Sequence, residues 1–381
     1  MDMSSKPERF HEARTLYEAK RAPEAIAIVL KLLVEEPGNA DYLIYLSLYL
    51  RAVGKFDESL KTLEQVPLET PGYAMLMGWH ELRLGKFLEG MRMREPESGI
   101  NRIDKRYPFP SAKRLQSGML IAGKKILFAL EGGNGDEIAY VRFVQILKSL
   151  GAKVIVGTSK ELLPIISRAS EVEEVWPIDA ISHDQYDYYL PSLSVIPLLN
   201  IAHPCQGLIL PYVCLSKDHA ARWQPIINKA AGARLKIGIQ WQGNMEFEHV
   251  EFKSIPAPLF AQFSEIGQLF SLQRPETVGE NKFPAGIPIV ETQSGPPNWE
   301  GTLAAISEMD YIIAGDTTIT HMAGALGKKT LLLLPHAPHP YWADLCEQST
   351  WYPSVRVFRQ PQYNDWAGAA RNAFNFLCSE I

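Results

Sequence analysis

One stretch limits what this chain can fold into more than any other: residues 309–335, Met-Asp-Tyr-Ile-Ile-Ala-Gly-Asp-Thr-Thr-Ile-Thr-His-Met-Ala-Gly-Ala-Leu-Gly-Lys-Lys-Thr-Leu-Leu-Leu-Leu-Pro. Residues 311–314 and 330–334 are short apolar runs, the first rich in β-branched side chains, and both have the pattern of strands buried on two faces. Between them residues 320–326 are small, apolar and helix-like, and Gly327 closes the run. Strand, polar turn, helix and strand make a parallel crossover unit, which commits the region to an α/β sheet. The turn is where chemistry can sit. Asp316, Thr317 and Thr318 lie where a buried strand gives way to a helix, and there the leading N–H groups and the helix dipole favour a phosphate. His321 falls on the first helical turn, facing the same opening. The plainer alternative is that Asp316 or Thr317 caps the helix and His321 is a satisfied, half-buried imidazole.

At 381 residues the chain is long enough for two or three domains, each with its own core. A net charge of -5 gives no global attraction to nucleic acid or to an anionic membrane. No run approaches the length of a spanning helix and the first ten residues are polar, so no signal peptide and no membrane insertion are expected, and the expected location is cytoplasmic. Cys205, Cys214, Cys346 and Cys378 show no metal-ligand spacing and read as reduced structural thiols.

Residues 8–95 read as helical throughout, with short breaks that divide them into pairs. Gly-Lys-Phe occurs at Gly54 and again at Gly85, 31 residues apart, with Arg21-Ala22-Pro23 at the matching place one unit earlier. The period resembles a short tetratricopeptide array of three helical hairpins, which must stack to bury their apolar faces and so leave a concave groove. The groove would hold a protein partner, with Tyr42, Tyr45, Tyr49, Trp79 and His80 as candidate contacts. The alternatives are that these aromatics are core and that the array is a structural cap. Residues 96–123, rich in Pro, Ser and basic residues, read as a linker lying along the domain ahead.

From residue 124 strands alternate with helices in two series, at 124–231 and 232–381, each a parallel, doubly wound domain. In the first, strand 125–130 runs into Glu131-Gly-Gly-Asn-Gly-Asp136 and then a helix over 137–150. Gly133, Asn134 and Gly135 allow a tight turn and close approach to a ligand, and Asp136 lands at the helix start as a candidate base or a simple N-cap. In the second, strand 236–240 runs directly into Trp241-Gln-Gly-Asn244, strand 269–273 ends at Gln273, and Asn298-Trp299 introduces a helix. Two such domains facing each other would put their loops into one cleft, with Lys253 beside it opposite Thr317 and Thr318, a pairing suited to a diphosphate.

The segments Gly135-Asp136-Glu137-Ile138, Trp241-Gln-Gly-Asn244, Ser271-Leu-Gln273, Asp316-Thr-Thr-Ile-Thr-His321-Met-Ala-Gly-Ala-Leu-Gly327, Trp351-Tyr-Pro353 and Phe358-Arg-Gln-Pro361 occur in this order. Together they resemble the tetratricopeptide-containing bacterial glycosyltransferases related to the heptosyltransferases of glycosyltransferase family 9, and more distantly protein O-GlcNAc transferases. The resemblance implies two facing Rossmann-like domains (the GT-B architecture) after the all-α repeat, with a nucleotide-sugar donor on the carboxyl-terminal domain and the acceptor over the amino-terminal one. It implies a metal-independent, inverting transfer with no cofactor beyond the donor. By position, Asp136 would be the general base. Asp316, Thr317, Thr318 and His321 would hold the diphosphate and sugar, with Lys253 stabilising the departing phosphate, and Trp241, Gly243, Asn244, Gln273, Asn298 and Trp299 would line the donor pocket.

The chain departs from that pattern in two places. Where the family loop reads His, Asp and Arg-Ser-Ile, this chain has His249, Glu251 and Lys253-Ser254-Ile255, which keeps the charge but not the guanidinium fork. Residues 336–342 lack the arginine expected beside Trp342. Two other functions remain open on sequence: a non-catalytic helical scaffold with an idle nucleotide site, and a sugar-nucleotide epimerase.

Overall fold

A computed structural model of the chain describes residues 5–99, 109–215, 217–243, 250–274, 277–293 and 298–381. Six helices come first: α1 (Lys6–Glu18), α2 (Ala22–Glu35), α3 (Ala40–Ala52), α4 (Phe56–Leu63), α5 (Tyr73–Arg83) and α6 (Phe87–Gly99). They pack as hairpins, α1 on α2, α3 on α4 and α5 on α6, and the hairpins stack. The α5–α6 crossing is tight because glycines face each other there. A Cβ on Gly90 would stand 2.6 Å from the Gly78 carbonyl oxygen, so neither position admits a side chain without splaying the hairpin. The aromatic residues expected to line a groove are core instead. Tyr42, Tyr49, Trp79 and His80 are buried, and Tyr45 is half-buried in edge contact with Phe10 and Tyr49.

The first sheet is parallel, in the order β3-β2-β1-β4, with β1 at Lys125–Ala129, β2 at Lys153–Thr158, β3 at Glu174–Pro177 and β4 at Tyr188–Pro191. From Phe109 the chain runs along β4: the Leu115 N–H donates to Tyr189 O at 2.9 Å and the Phe109 ring lies 4.9 Å from that of Tyr189. The helix expected over 137–150 begins earlier and breaks, into α7 (Asn134–Tyr140), a 3-10 turn (Val141–Phe143) and α8 (Val144–Ser149). Its early start moves Gly133 to the N-cap and Asp136 into the first turn.

The second sheet is also parallel, in the order β10-β9-β8-β5-β6-β7. Its strands are β5 (Leu235–Gln240), β6 (Gly267–Ser271), β7 (Ile289–Glu291), β8 (Tyr311–Ala314), β9 (Thr330–Leu334) and β10 (Val355–Arg359). β10 and the closing helix, α9 (Trp366–Glu380), were not anticipated: β10 alternates charge with apolar residues as an edge strand does, so it lacks the continuous apolar run that marks β8 and β9. Strand order reverses between β5 and β8, and between β1 and β4. Crevices open at such switch points beyond the carboxyl ends of the strands, and the turns after β1, β5 and β8 carry Asp136, Trp241 and Asp316 respectively.

The two α/β halves share one apolar core, in which Ile138, Tyr140 and Phe143 of the first pack with Trp351, Tyr352 and Met322 of the second. Arg142 is fully buried in this contact. Its guanidinium donates to Ala139 O at 2.8 Å, to Trp351 O of the other half at 2.6 Å and to the Tyr212 hydroxyl at 3.0 Å, and it lies 4.4 Å from the centre of the Tyr352 ring. A buried cation is tolerated only when its donors are met, and here carbonyls and aromatic faces meet them. Arg142→Met keeps most of the bulk but removes the guanidinium donors from Ala139 O, Trp351 O and the Tyr212 hydroxyl, leaving Trp351 O the weaker Cys205 thiol at 3.4 Å. It should cost about 3 kcal/mol or more of unfolding free energy in a urea titration; an unchanged midpoint would show that the halves are held by apolar contact alone.

Candidate functional site

The amino-terminal half contributes the first turn of α7. Gly132 adopts a left-handed conformation (φ 93°), which brings the chain back so that the Gly133 N–H donates to Asp136 Oδ2 at 2.8 Å. The carboxylate therefore does cap its helix, from the third helical position. It also faces outward: its other oxygen, Oδ1, accepts from the Tyr341 hydroxyl, which comes from the opposite half. Gly135 makes the closest approach between the halves. A Cβ there would lie 2.7 Å from His321 Cδ2, so at this point the expected cleft is a contact that only glycine permits. Glu137, one residue past Asp136, is buried and accepts from Thr158 and from the Ser159 N–H, which pins the start of α7 to the end of β2.

The carboxyl-terminal half contributes the turn between β8 and α10 (Thr318–Ala325). Neither alternative drawn for a cap holds. Thr317 stands at the N-cap, yet its hydroxyl donates to Gln240 Oε1 at 2.9 Å, tying the ends of β8 and β5 together across the switch point. Asp316 is buried and forms an ion pair with Lys253, Nζ to Oδ2 at 2.7 Å, while its Oδ1 accepts from Trp342 Nε1 at 2.9 Å. Burial alone would raise this carboxyl, but the Lys253 ammonium outweighs it and holds Asp316 well below the ordinary carboxylate range. Burial pulls Lys253 down in turn, and the Asp316 carboxylate overrides that and leaves the ammonium raised. The Lys253 side chain keeps 35% of its surface exposed, while its ammonium is anchored on Asp316.

His321 is buried rather than half-buried, at 4% exposure. Its Nδ1 lies 2.9 Å from the Tyr352 hydroxyl, and its Nε2 lies 3.9 Å from Asp316 Oδ1. The Tyr212 hydroxyl accepts from Arg142, donates to Ile138 O at 2.9 Å and lies 3.4 Å from the Tyr352 hydroxyl, so a chain of hydroxyls runs from the buried guanidinium to the His321 imidazole. Burial pushes the imidazole down to about 4, despite Asp316 pulling the other way, so His321 is uncharged at neutral pH.

The structure brings Asp136, His321, Asp316 and Lys253 to one place, with Thr317 and Thr318 half-buried at the start of α10. It gives other expected site residues different work. Trp241 is 3% exposed, packs on Phe260 and Phe283 and donates its indole N–H to Asn281 O at 2.8 Å, so it is core beneath the turn. The Gln273 amide is wholly spent on the protein: Oε1 accepts from the Trp241 and Gln242 N–H groups, and Nε2 donates to Gln242 O and the Thr277 hydroxyl. It clasps the turn after β5. Asn298 is exposed and caps the helix Trp299–Ser307 by accepting from the Gly301 N–H at 3.1 Å, while Trp299 is half-buried with Arg274 over its ring. Gly133 and Asn134 are half-buried in the α7 turn, and Gly243 is half-buried after β5. Asn244 and His249 lie outside the described residues, and the side chain of Glu251 is not described. Among the described residues no group of three or more His, Cys, Asp and Glu could hold a metal ion, and no helix is long and apolar enough to cross a membrane. The four cysteines are free thiols.

Five participants escaped the sequence reading: Tyr341, Trp342, Tyr352, Arg142 and Tyr212. Tyr341 and Trp342 follow a proline-rich run, His-Ala-Pro-His-Pro, whose path no periodicity forecasts. The Trp351-Tyr-Pro353 block had been noticed as a motif but without a physical role.

No family model matches the sequence. Protein FlbA of Caulobacter vibrioides is 22% identical over 317 residues, covering 75% of this chain and 51% of that protein, so this chain spans about half the length of that relative. Among solved structures, a glycosyl transferase of family 9 from Veillonella parvula aligns over 69% of this chain and 99% of its own, at 10% identity and a TM-score of 0.48. The E. coli ADP-heptose lps heptosyltransferase II aligns over 68% of this chain and 100% of its own, at 14% identity and a TM-score of 0.48. The iron-containing dodecameric glycosyltransferase TibC from enterotoxigenic E. coli aligns over 70% and 78%, at 10% identity and a TM-score of 0.47.

The depressed imidazoles imply a direction for stability against pH. His321 and His80 are both held down to about 4, chiefly by burial, from an unfolded value near 6.5. Below 6.5 the unfolded chain binds protons that the folded one refuses, so stability present above that pH is lost as pH falls toward 4. Asp316, lowered in the folded state, adds a further loss only below its unfolded value of 3.8. Thermal unfolding followed from pH 7 to pH 4 should show the midpoint falling steadily, with a shallower slope for His321→Asn; a flat profile would mean that the two imidazoles are not buried neutral.

Proposed function

We propose that the protein transfers a sugar from a nucleotide-sugar donor to a hydroxyl acceptor. The observation that carries this is the meeting, across one interface, of an outward-facing carboxylate at the start of α7 with a charged lysine and a neutral imidazole at the start of α10. Such a set fits displacement at a sugar carbon. Asp136 accepts the proton of the attacking hydroxyl once that hydroxyl replaces Tyr341 on Oδ1. The leaving diphosphate gathers charge, and Lys253, the leading N–H groups of α10 and the Thr317 and Thr318 turn supply fixed positive potential for it. Asp316 orients Lys253 rather than touching phosphate, and the neutral His321 imidazole lies beside it. This fixed positive potential is the reason for favouring a metal-independent scheme, and a one-step displacement between facing groups the reason for favouring inversion. The resemblance read in the sequence points to the same chemistry.

With this reading goes the division into a tetratricopeptide-like repeat at 1–95, a linker at 96–123, an acceptor domain at 124–231 and a donor domain at 232–381, in the GT-B manner. A protein acceptor brought in by the repeat belongs to the proposal too. Its support is the repeat itself, since the aromatic contacts named for it are buried.

A panel of nucleoside diphosphates tests the donor site. At a hundred times its dissociation constant the right one should stabilise the fold by about 2.7 kcal/mol, read as a raised unfolding midpoint; no response to any of them would sink the proposal. Asp136→Asn should keep that stabilisation while turnover of the matching nucleotide sugar drops by about two orders of magnitude or more. Full turnover in the variant would remove Asp136 from the chemistry.

A further inference from the structure

Among the contacts between the six-helix prefix and the α/β body, one falls on a short segment that ends at the candidate site. Residues 336–342 leave the end of β9, pass under the prefix and deliver Tyr341 to Asp136 and Trp342 to Asp316, so a single strap serves both carboxylates. Pro335, Pro338 and Pro340 carry no amide N–H, which denies the strap a ladder of its own and leaves its path to side-chain contacts. On one flank Gln360 holds His336, accepting from its N–H at 3.2 Å and facing its Nδ1 through the backbone oxygen at 2.9 Å. On the other flank the prefix holds it. The Trp79 indole N–H donates to Pro338 O at 2.8 Å, Phe56 stacks on His336 at 5.6 Å, and Ala343 shares an apolar cluster with Trp79 and Leu82. Trp79 is 1% exposed, so its N–H has no water to fall back on and the bond to Pro338 is obligatory.

We infer that the prefix is part of the framework of the site, and that Trp79 is a positioning residue which sets, through residues 336–342, the hydrogen bonds on Asp136 and Asp316. The catalytic part of this inference rests on the proposed function; the mechanical part does not. A purely structural cap would need to cover apolar surface only. Here the prefix bonds to the one segment whose neighbouring residues reach both carboxylates.

Trp79→Phe keeps an aromatic ring and deletes the N–H. Hydrogen exchange followed by mass spectrometry should show faster exchange in peptides covering 336–343 and, across the interface, 131–140. Ser59→Ala, which removes a buried hydroxyl from the same prefix without touching the strap, should leave both peptides unchanged. Exchange confined to the prefix, or the same response in both variants, overturns the inference. In turnover, Trp79→Phe should lose about tenfold in kcat, the worth of one hydrogen bond, with donor affinity unchanged. The loss should shrink in a Tyr341→Phe background, because the two residues act in series; full additivity overturns the coupling. If the unaltered protein turns over no nucleotide sugar, the proposed function fails, and the exchange result alone decides the strap.

Discussion

Arg142 lies between the two α/β halves with no carboxylate beside it, and every feature of the candidate site depends on how that charge is satisfied. It bonds to a carbonyl of each half and to Tyr212, and it rests against Tyr352. Tyr212 and Tyr352 are the residues that go on to fix His321. A carboxylate in place of these carbonyls would neutralise the guanidinium in a single pair. Carbonyls and ring faces instead spread its contacts over both halves, and so register them against each other. That registry lets Gly135 meet His321 at van der Waals distance.

Within the site, electrostatics sort the ionisable groups by environment. Lys253 and Asp316 keep their charges because each lies within bonding distance of the other, and burial, which penalises both, is overridden. His321, equally buried, has an Asp316 oxygen only at 3.9 Å and loses its charge. One half therefore presents a charged lysine and a neutral imidazole, and the other presents a carboxylate held by a backbone N–H of its own half and by a phenol of the opposite one.

The prefix changes meaning once its contacts are known. Read from sequence, its aromatics suggested a surface for a partner. In the structure they lie in or against its core, and Trp79 also bonds to Pro338 of the α/β body. Tyr17 against Phe252 and the bond from Tyr363 to Lys20 O extend the same contact along the second sheet. A repeat that grips the α/β body at several points sets where the body's loops lie, whatever else it binds.

Much of this was legible in the chain before any coordinates. Short apolar runs marked the inner strands β1, β8 and β9, because strands buried on both faces have little room for charge, and the glycine-rich and Asp-Thr-Thr turns marked the carboxyl ends of β1 and β8. Asp136, Asp316 and His321 drew notice because they stand where buried strands give way to helices, and Lys253 because it falls in the loop beside them. Tertiary structure alone decided the rest. That Trp241 and Gln273 face inward, that Tyr341 and Trp342 close on the two carboxylates, and that Trp79 bonds to Pro338 are matters of contacts between residues far apart in the chain. Periodicity reports which face of an element is apolar, but not which distant atom will satisfy a buried N–H.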